Sequence, residues 1–146
     1  MIKKRSIVII ISLCLICVDQ LSKYFFYDLS IWSQIPFLNP LMNDWISRGM
    51  SAPMTIILIV SAICLVIFWY LFHKKYFQML EFVLLFAWTI GNMIDRIWLW
   101  WVRDFISIGS FPVFNIADAF LTCGVVWICT KEIFHLQTNE KKIISK

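Results

Sequence analysis

Charge is scarce in this chain. Asp, Glu, Lys and Arg together make up 15% of its 146 residues, against about a quarter in an ordinary soluble domain, and that class is excluded. Histidine occurs only as His73 and His135, both outside the region where the carboxylates gather, and no His-Glu-x-x-His is present, which removes the nitrogen ligands of a zinc peptidase. The five cysteines, Cys14, Cys17, Cys64, Cys123 and Cys129, all lie in apolar runs. They read as packing, with no disulfide, and Cys14-x-x-Cys17 has no second pair to complete a metal or redox site. There is no internal repeat and no low-complexity linker, so one domain is expected over 1–146.

What fills the chain instead is apolar surface. Hydrophobic residues account for 61% and aromatics for 17%, with a mean hydropathy of +0.80, which identifies an integral membrane protein. Crossing a hydrocarbon core about 30 Å thick takes roughly 20 helical residues. Four stretches meet that length, at about 7–26, 53–72, 77–98 and 114–133. The segments 27–52 and 99–113 connect them on one side. The fold class expected is therefore all-α, with four transmembrane helices.

Orientation follows from the cations, because cytoplasmic loops carry the excess of Lys and Arg. Lys3, Lys4 and Arg5 precede the first span, Lys74 and Lys75 lie in the second connection, and Lys131, Lys141, Lys142 and Lys146 follow the fourth, nine of the thirteen cations on one side. Both termini are expected to be cytoplasmic. Met1-Ile2-Lys3-Lys4-Arg5 and the following apolar run also suit a secretory signal. That run continues into Asp19-Gln20-Leu21-Ser22-Lys23 without a small-x-small site, so an uncleaved first helix is favoured.

Polar residues inside spans mark function by default. Asp19 on the first span, Asn92, Asp95 and Arg96 on the third, and Asp118 on the fourth all fall in the outer third of the membrane when depth is counted at about 1.5 Å per residue. Glu81, near the cytoplasmic end, is expected to reach the headgroups. The second span has no charged residue and only packs. Trp98, Trp100 and Trp101 fit an interfacial aromatic belt.

The carboxylates are not equivalent. Asp19 has Lys23 at i+4, and Asp95 sits beside Arg96, on a helix face that Asn92 and Arg96 share, so both can be neutralised locally. Asp104 and Asp118 have no cation at i+3 or i+4, and Arg103 points elsewhere if the backbone is regular. Ten residues separate Asp104 from Asn115, with Gly109 and Pro112 as turn punctuation, and this short connection must bring the two ends together. Two carboxyls held close in a low-dielectric site share one proton. One can then take a proton from water while the other donates to a carbonyl.

At this point a resemblance becomes specific. Asp19-Gln20-x-x-Lys23, Gly91-Asn92-x-x-Asp95-Arg96, Val102-x-Asp104-Phe105 and Phe114-Asn115-x-Ala117-Asp118, in this order on four spans, resemble the lipoprotein signal peptidase (signal peptidase II) family. The resemblance implies an aspartic endopeptidase of the bacterial cytoplasmic membrane, without a cofactor. Such an enzyme removes the signal peptide of a prolipoprotein just before a diacylglyceryl-modified cysteine. Asp104 and Asp118 would be the catalytic pair. Asp19, Lys23, Asn92, Arg96 and Asn115 would shape the pocket and hold substrate, Asp95 would be structural, and the first outer segment would supply a small β-structured cradle.

In that segment the family pattern Asn-x-Gly-x-Ala-Phe-Gly aligns with Asn43-Asp44-Trp45-Ile46-Ser47-Arg48-Gly49. Asn43 and Gly49 match and would contact substrate, while Trp45 and Arg48 depart. Gly takes a positive φ far more readily than Trp, so the loop's conformation is expected to differ from the family's. Trp45 is amphipathic and Arg48 can keep its charged head in water over an apolar stem, so the segment is expected to lie against the outer leaflet and seat the lipidated substrate. Prolipoproteins and membrane lipid are the partners expected of a monomer, with no nucleic acid. The competing reading is a proton- or ion-coupled carrier, which needs polar groups spread through the membrane depth. The single polar layer favours an enzyme working near the outer surface.

Overall fold

The computed structural model describes residues 2–29, 35–43 and 53–144. Among the described residues there are four long helices and one two-stranded sheet: α1 (Ile2–Lys23), β1 (Leu38–Asn43), α2 (Met54–His73), α3 (Met79–Leu99), β2 (Val102–Ile106) and α4 (Ile116–Ile144). All four helices are long and apolar enough to cross a membrane, and they overlap the runs read from hydropathy, with α4 continuing eleven residues past the run that ends at 133.

Helix α3 is the core. It packs against α1, α2 and α4, and 44% of its most apolar stretch is buried, against 22% for α1 and 6% for α2 and α4. The other three helices are inside out by soluble standards, with residues such as Ile9, Val66, Trp69 and Val126 exposed to the surroundings. Lipid is a fitting solvent for those faces, because hydrocarbon is as apolar as the side chains. Without charge to place, α2 meets α3 through apolar and ring contacts, including Phe72 stacked on Phe82 at 4.5 Å between centroids.

Helix ends are punctuated by identifiable side chains. At the start of α3, Gln78 and Glu81 form a reciprocal capping box. Glu81 does not reach headgroups, as its position near the helix end suggests. It is fully buried, one carboxylate oxygen accepting the Gln78 N–H and the other accepting from Lys131 Nζ of α4 at 2.5 Å. Helix α1 continues into a π-helical turn, Tyr24–Asp28, closed by the Leu29 N–H on the Tyr24 carbonyl. Helix α3 ends on Trp100, whose φ of 70° is left-handed.

The sheet stands at the Asp104 end of the bundle. Strands β1 and β2 are antiparallel, with Leu41 opposite Asp104, Met42 opposite Arg103 and Asn43 opposite Val102. Beyond β2 the chain turns at Gly109 and doubles back, so that Phe114 exchanges backbone hydrogen bonds with Ile106. That return places the first turn of α4 beside Asp104. The small β-element expected of the first outer segment is present, and half of it comes from the second.

Candidate active site

Lys23 is the centre from which the site is built. It is a long cation at 0% exposure, a placement that occurs only with partners on every side. Its Nζ lies 2.8 Å from Asp19, 3.2 Å from Asp95, 3.1 Å from Asn92 Oδ1 and 3.3 Å from the Gly91 carbonyl. Asp19 also accepts the Ala117 N–H of α4 at 2.9 Å and Gln20 Nε2 at 3.0 Å. Three helices are thereby tied at one level. Close approach of α1 to α3 needs Gly91, since a Cβ there would sit 2.6 Å from Asp19 Oδ2.

Lys is a donor only, and this fixes the next residue outward. Asn92 must turn its Oδ1 to Lys23, which leaves its Nδ2 to donate to Asp118 Oδ1 at 2.9 Å. Asn115 Nδ2 donates to the same Asn92 oxygen at 3.0 Å and to Asp104 Oδ1 at 2.6 Å. Asn115 is also the N-cap of α4. Its Oδ1 accepts the Asp118 N–H at 3.0 Å, while its own N–H faces Asp118 Oδ2 at 3.3 Å. One asparagine thus touches both Asp104 and Asp118. From β1, Asn43 Nδ2 donates to Asp104 Oδ2 at 2.7 Å.

Asp104 is 1% exposed. Burial pushes its carboxyl up to about 7, the Asp118 charge adds to the rise, and the amide donors of Asn43 and Asn115 oppose it. No cation is within ion-pair distance of Asp104 or Asp118 among the described residues. Arg103, next in sequence, points to the opposite face of β2 as strand alternation requires. There its guanidinium meets Asp95 at 2.9 Å, Asp28 at 2.6 Å and Gln20 Oε1 at 3.0 Å.

Asp95 is therefore held by Lys23 and Arg103, not by the adjacent Arg96 that its place on the helix suggests. Arg96 is half-buried, within electrostatic reach of Asp118, Asp104 and Asp95, yet forms no ion pair among the described residues. Of the residues expected to hold substrate, Asn43, Asn92, Arg96 and Asn115 surround the two carboxylates. Asp19 and Lys23 are wholly buried beneath them. Gly49, with Trp45 and Arg48, lies outside the described residues.

Sequence reasoning gave Gln20 no role beyond its place in the first motif, and passed over Asp28 and Trp88. Gln20 Nε2 bridges Asp19 and the Gly91 carbonyl, and Trp88 Nε1 donates to Asp118 Oδ1 at 3.2 Å. Trp88 is one turn before Asn92 on α3, which is the signal that could have found it. Among the described residues no three His, Cys, Asp or Glu side chains converge as metal ligands would.

This architecture has solved counterparts. A bacterial membrane enzyme determined by the in meso method at 2.3 Å resolution superposes with a TM-score of 0.81 at 31% identity, covering 91% of each chain. A second, at 1.9 Å resolution, gives 0.72 at 31% identity over 86% of this chain and 92% of that one. A lipoprotein signal peptidase of Dehalococcoides mccartyi is 53% identical over 45 residues, and that match spans only 28% of its length. Another, from Staphylococcus aureus, is 33% identical over 136 residues, covering 82% of this chain and 83% of its own. The family model described as Signal peptidase (SPase) II matches residues 11–134, a range that contains every polar residue of the site just described, and on that match the chain belongs to the signal peptidase II family.

Proposed function

We propose that this protein is a membrane aspartic endopeptidase that removes signal peptides from diacylglyceryl-modified prolipoproteins, cutting before the lipidated cysteine. The observation that carries this reading is the pair Asp104 and Asp118, joined through Asn115 and, among the described residues, without an ion-pair partner. A buried carboxyl that keeps its proton near neutrality can act as an acid, and its neighbour can act as a base.

In the reaction, Asp118 removes a proton from a water held between the two carboxyls as the water oxygen attacks the scissile carbonyl. Asp104 gives its proton to the carbonyl oxygen. Collapse of the tetrahedral intermediate re-forms the C=O, breaks the C–N bond and delivers the proton from Asp118 to the leaving amine. Asp104 recovers its proton from the same intermediate's hydroxyl. Both carboxyls return to their starting state.

Asn43, Asn92 and Asn115 fix the carboxylate planes, and the half-buried Arg96 is available to a substrate carbonyl. Asp19, Lys23 and Asp95 support the pocket from beneath. The excess of Lys and Arg beyond the Glu81 end supports a topology with both termini in the cytoplasm and the dyad near the outer face of the bacterial cytoplasmic membrane. Purified protein in detergent should release the signal peptide from a diacylglyceryl-modified prolipoprotein. Asp104→Asn and Asp118→Asn should each abolish release while insertion and expression persist, because an amide cannot exchange the proton. Near wild-type turnover in either variant would remove that residue from the pair.

A further inference from the structure

Asp118 Oδ1 receives two donors from one face of α3, Asn92 Nδ2 at 2.9 Å and Trp88 Nε1 at 3.2 Å, four residues apart. Among the described residues, Asp118 Oδ2 has only the longer contact with the Asn115 N–H at 3.3 Å. An indole N–H donates and cannot accept. Placed on Oδ1, it suits an oxygen that carries no proton. Two converging donors also fix the plane of the carboxylate and leave Oδ2 with its lone pairs less engaged. The reaction above needs Asn92 for this, but makes no use of Trp88.

We propose that Trp88 is a positioning residue for the base: its indole N–H locks Asp118 Oδ1, so that Oδ2 is the oxygen presented to water. The inference rests on the two-aspartate reading. Trp88 is half-buried and sits a turn deeper in the bundle than Asn92, so its bond is made where water competes little. Loss of one hydrogen bond to a charged group in such a place corresponds to about a tenfold loss in rate. Ground-state binding of substrate is untouched, because Trp88 acts on the base and not on the peptide.

Two replacements at this position separate hydrogen bonding from packing. Trp88→Phe removes the N–H together with part of the ring, whereas site-specific incorporation of 3-benzothienylalanine keeps the bicyclic shape and removes only the donor. Both are assayed on the lipidated prolipoprotein for kcat and KM, with thermal unfolding in detergent and Asp118→Asn in parallel. The expected result is a fall of about tenfold in kcat for both, at unchanged KM, with unchanged unfolding temperature for the benzothienyl protein. Wild-type kcat in the benzothienyl protein, or a change confined to KM, overturns the inference. If Asp118→Asn is inactive while the benzothienyl protein is normal, only the role of Trp88 falls. If Asp118→Asn turns over, the two-aspartate reading falls, and the inference with it.

Discussion

Asp104 and Lys23 show how much a single side chain can report when it is buried. Folding raises the Asp104 carboxyl from the usual 3.8 to about 7. A raised carboxyl binds its proton more tightly folded than unfolded, so its stabilising contribution is complete below about pH 4 and is lost as pH rises through about 7. Thermal unfolding temperature should therefore fall across that window, and Asp104→Asn should flatten the fall. Turnover should decline over the same rise, since the acid loses the proton it donates. A rate that stays level to pH 9 would mean that Asp104 is not the acid. Lys23→Ala has a different effect, because Asp19 and Asp95 are both at or near zero exposure. Removing the cation leaves Asp19 without an ion-pair partner, a loss of about 3–5 kcal/mol for a buried pair, while Asp95 keeps Arg103. The unfolding temperature should drop markedly. An unchanged value would show that Lys23 does not neutralise Asp19.

At the scale of elements, contact between α1 and α3 depends on one missing methyl group. Gly91 is a poor helix former, yet a Cβ at that position would strike Asp19 Oδ2, which Lys23 and Gln20 hold in place. Gly91→Ala should gain helix propensity of about 1 kcal/mol and still lose about 1–3 kcal/mol net through overpacking, read as a lower unfolding temperature in detergent. Net stabilisation would show that the two helices separate without cost. The spans were legible in the sequence because hydropathy acts along the chain. So was the pairing of Asp19 with Lys23, which is set by helix periodicity alone. What joins different elements was less legible: Asp95 turns to Lys23 and Arg103, and Asn115 caps α4 while reaching across to β2. Those contacts depend on the register between elements, and no local pattern encodes it. Trp88 was passed over because a tryptophan in an apolar run carries no mark of its polar edge.

Across the whole molecule, ionisable contacts gather at both ends of α3, and the stretch between them buries the apolar side chains of Phe82, Val83, Leu85 and Ala87. A carrier would need ionisable groups along that stretch, whereas the buried polar side chains found there among the described residues are the hydroxyls of Ser12 and Thr89, neither of which titrates, and this supports chemistry at one end only. The other end has a purely structural task. Glu81 is fully buried and Lys131 is 29% exposed, so the two partners of this pair have unequal alternatives when separated. Lys131→Ala strands a buried carboxylate whose remaining partner is the Gln78 N–H, whereas after Glu81→Gln the lysine can extend toward water or headgroups along its flexible stem. Lys131→Ala should therefore lower the unfolding temperature more than Glu81→Gln, although it removes the more exposed residue. Glu81 and Asp95 are separated by about 21 Å of helix at 1.5 Å per residue, so neither variant should change kcat on a lipidated prolipoprotein by more than about twofold. The opposite order of stability would mean that Glu81 gains more from capping α3 than it loses by burial, and a large fall in kcat would mean that the two ends of α3 are mechanically coupled.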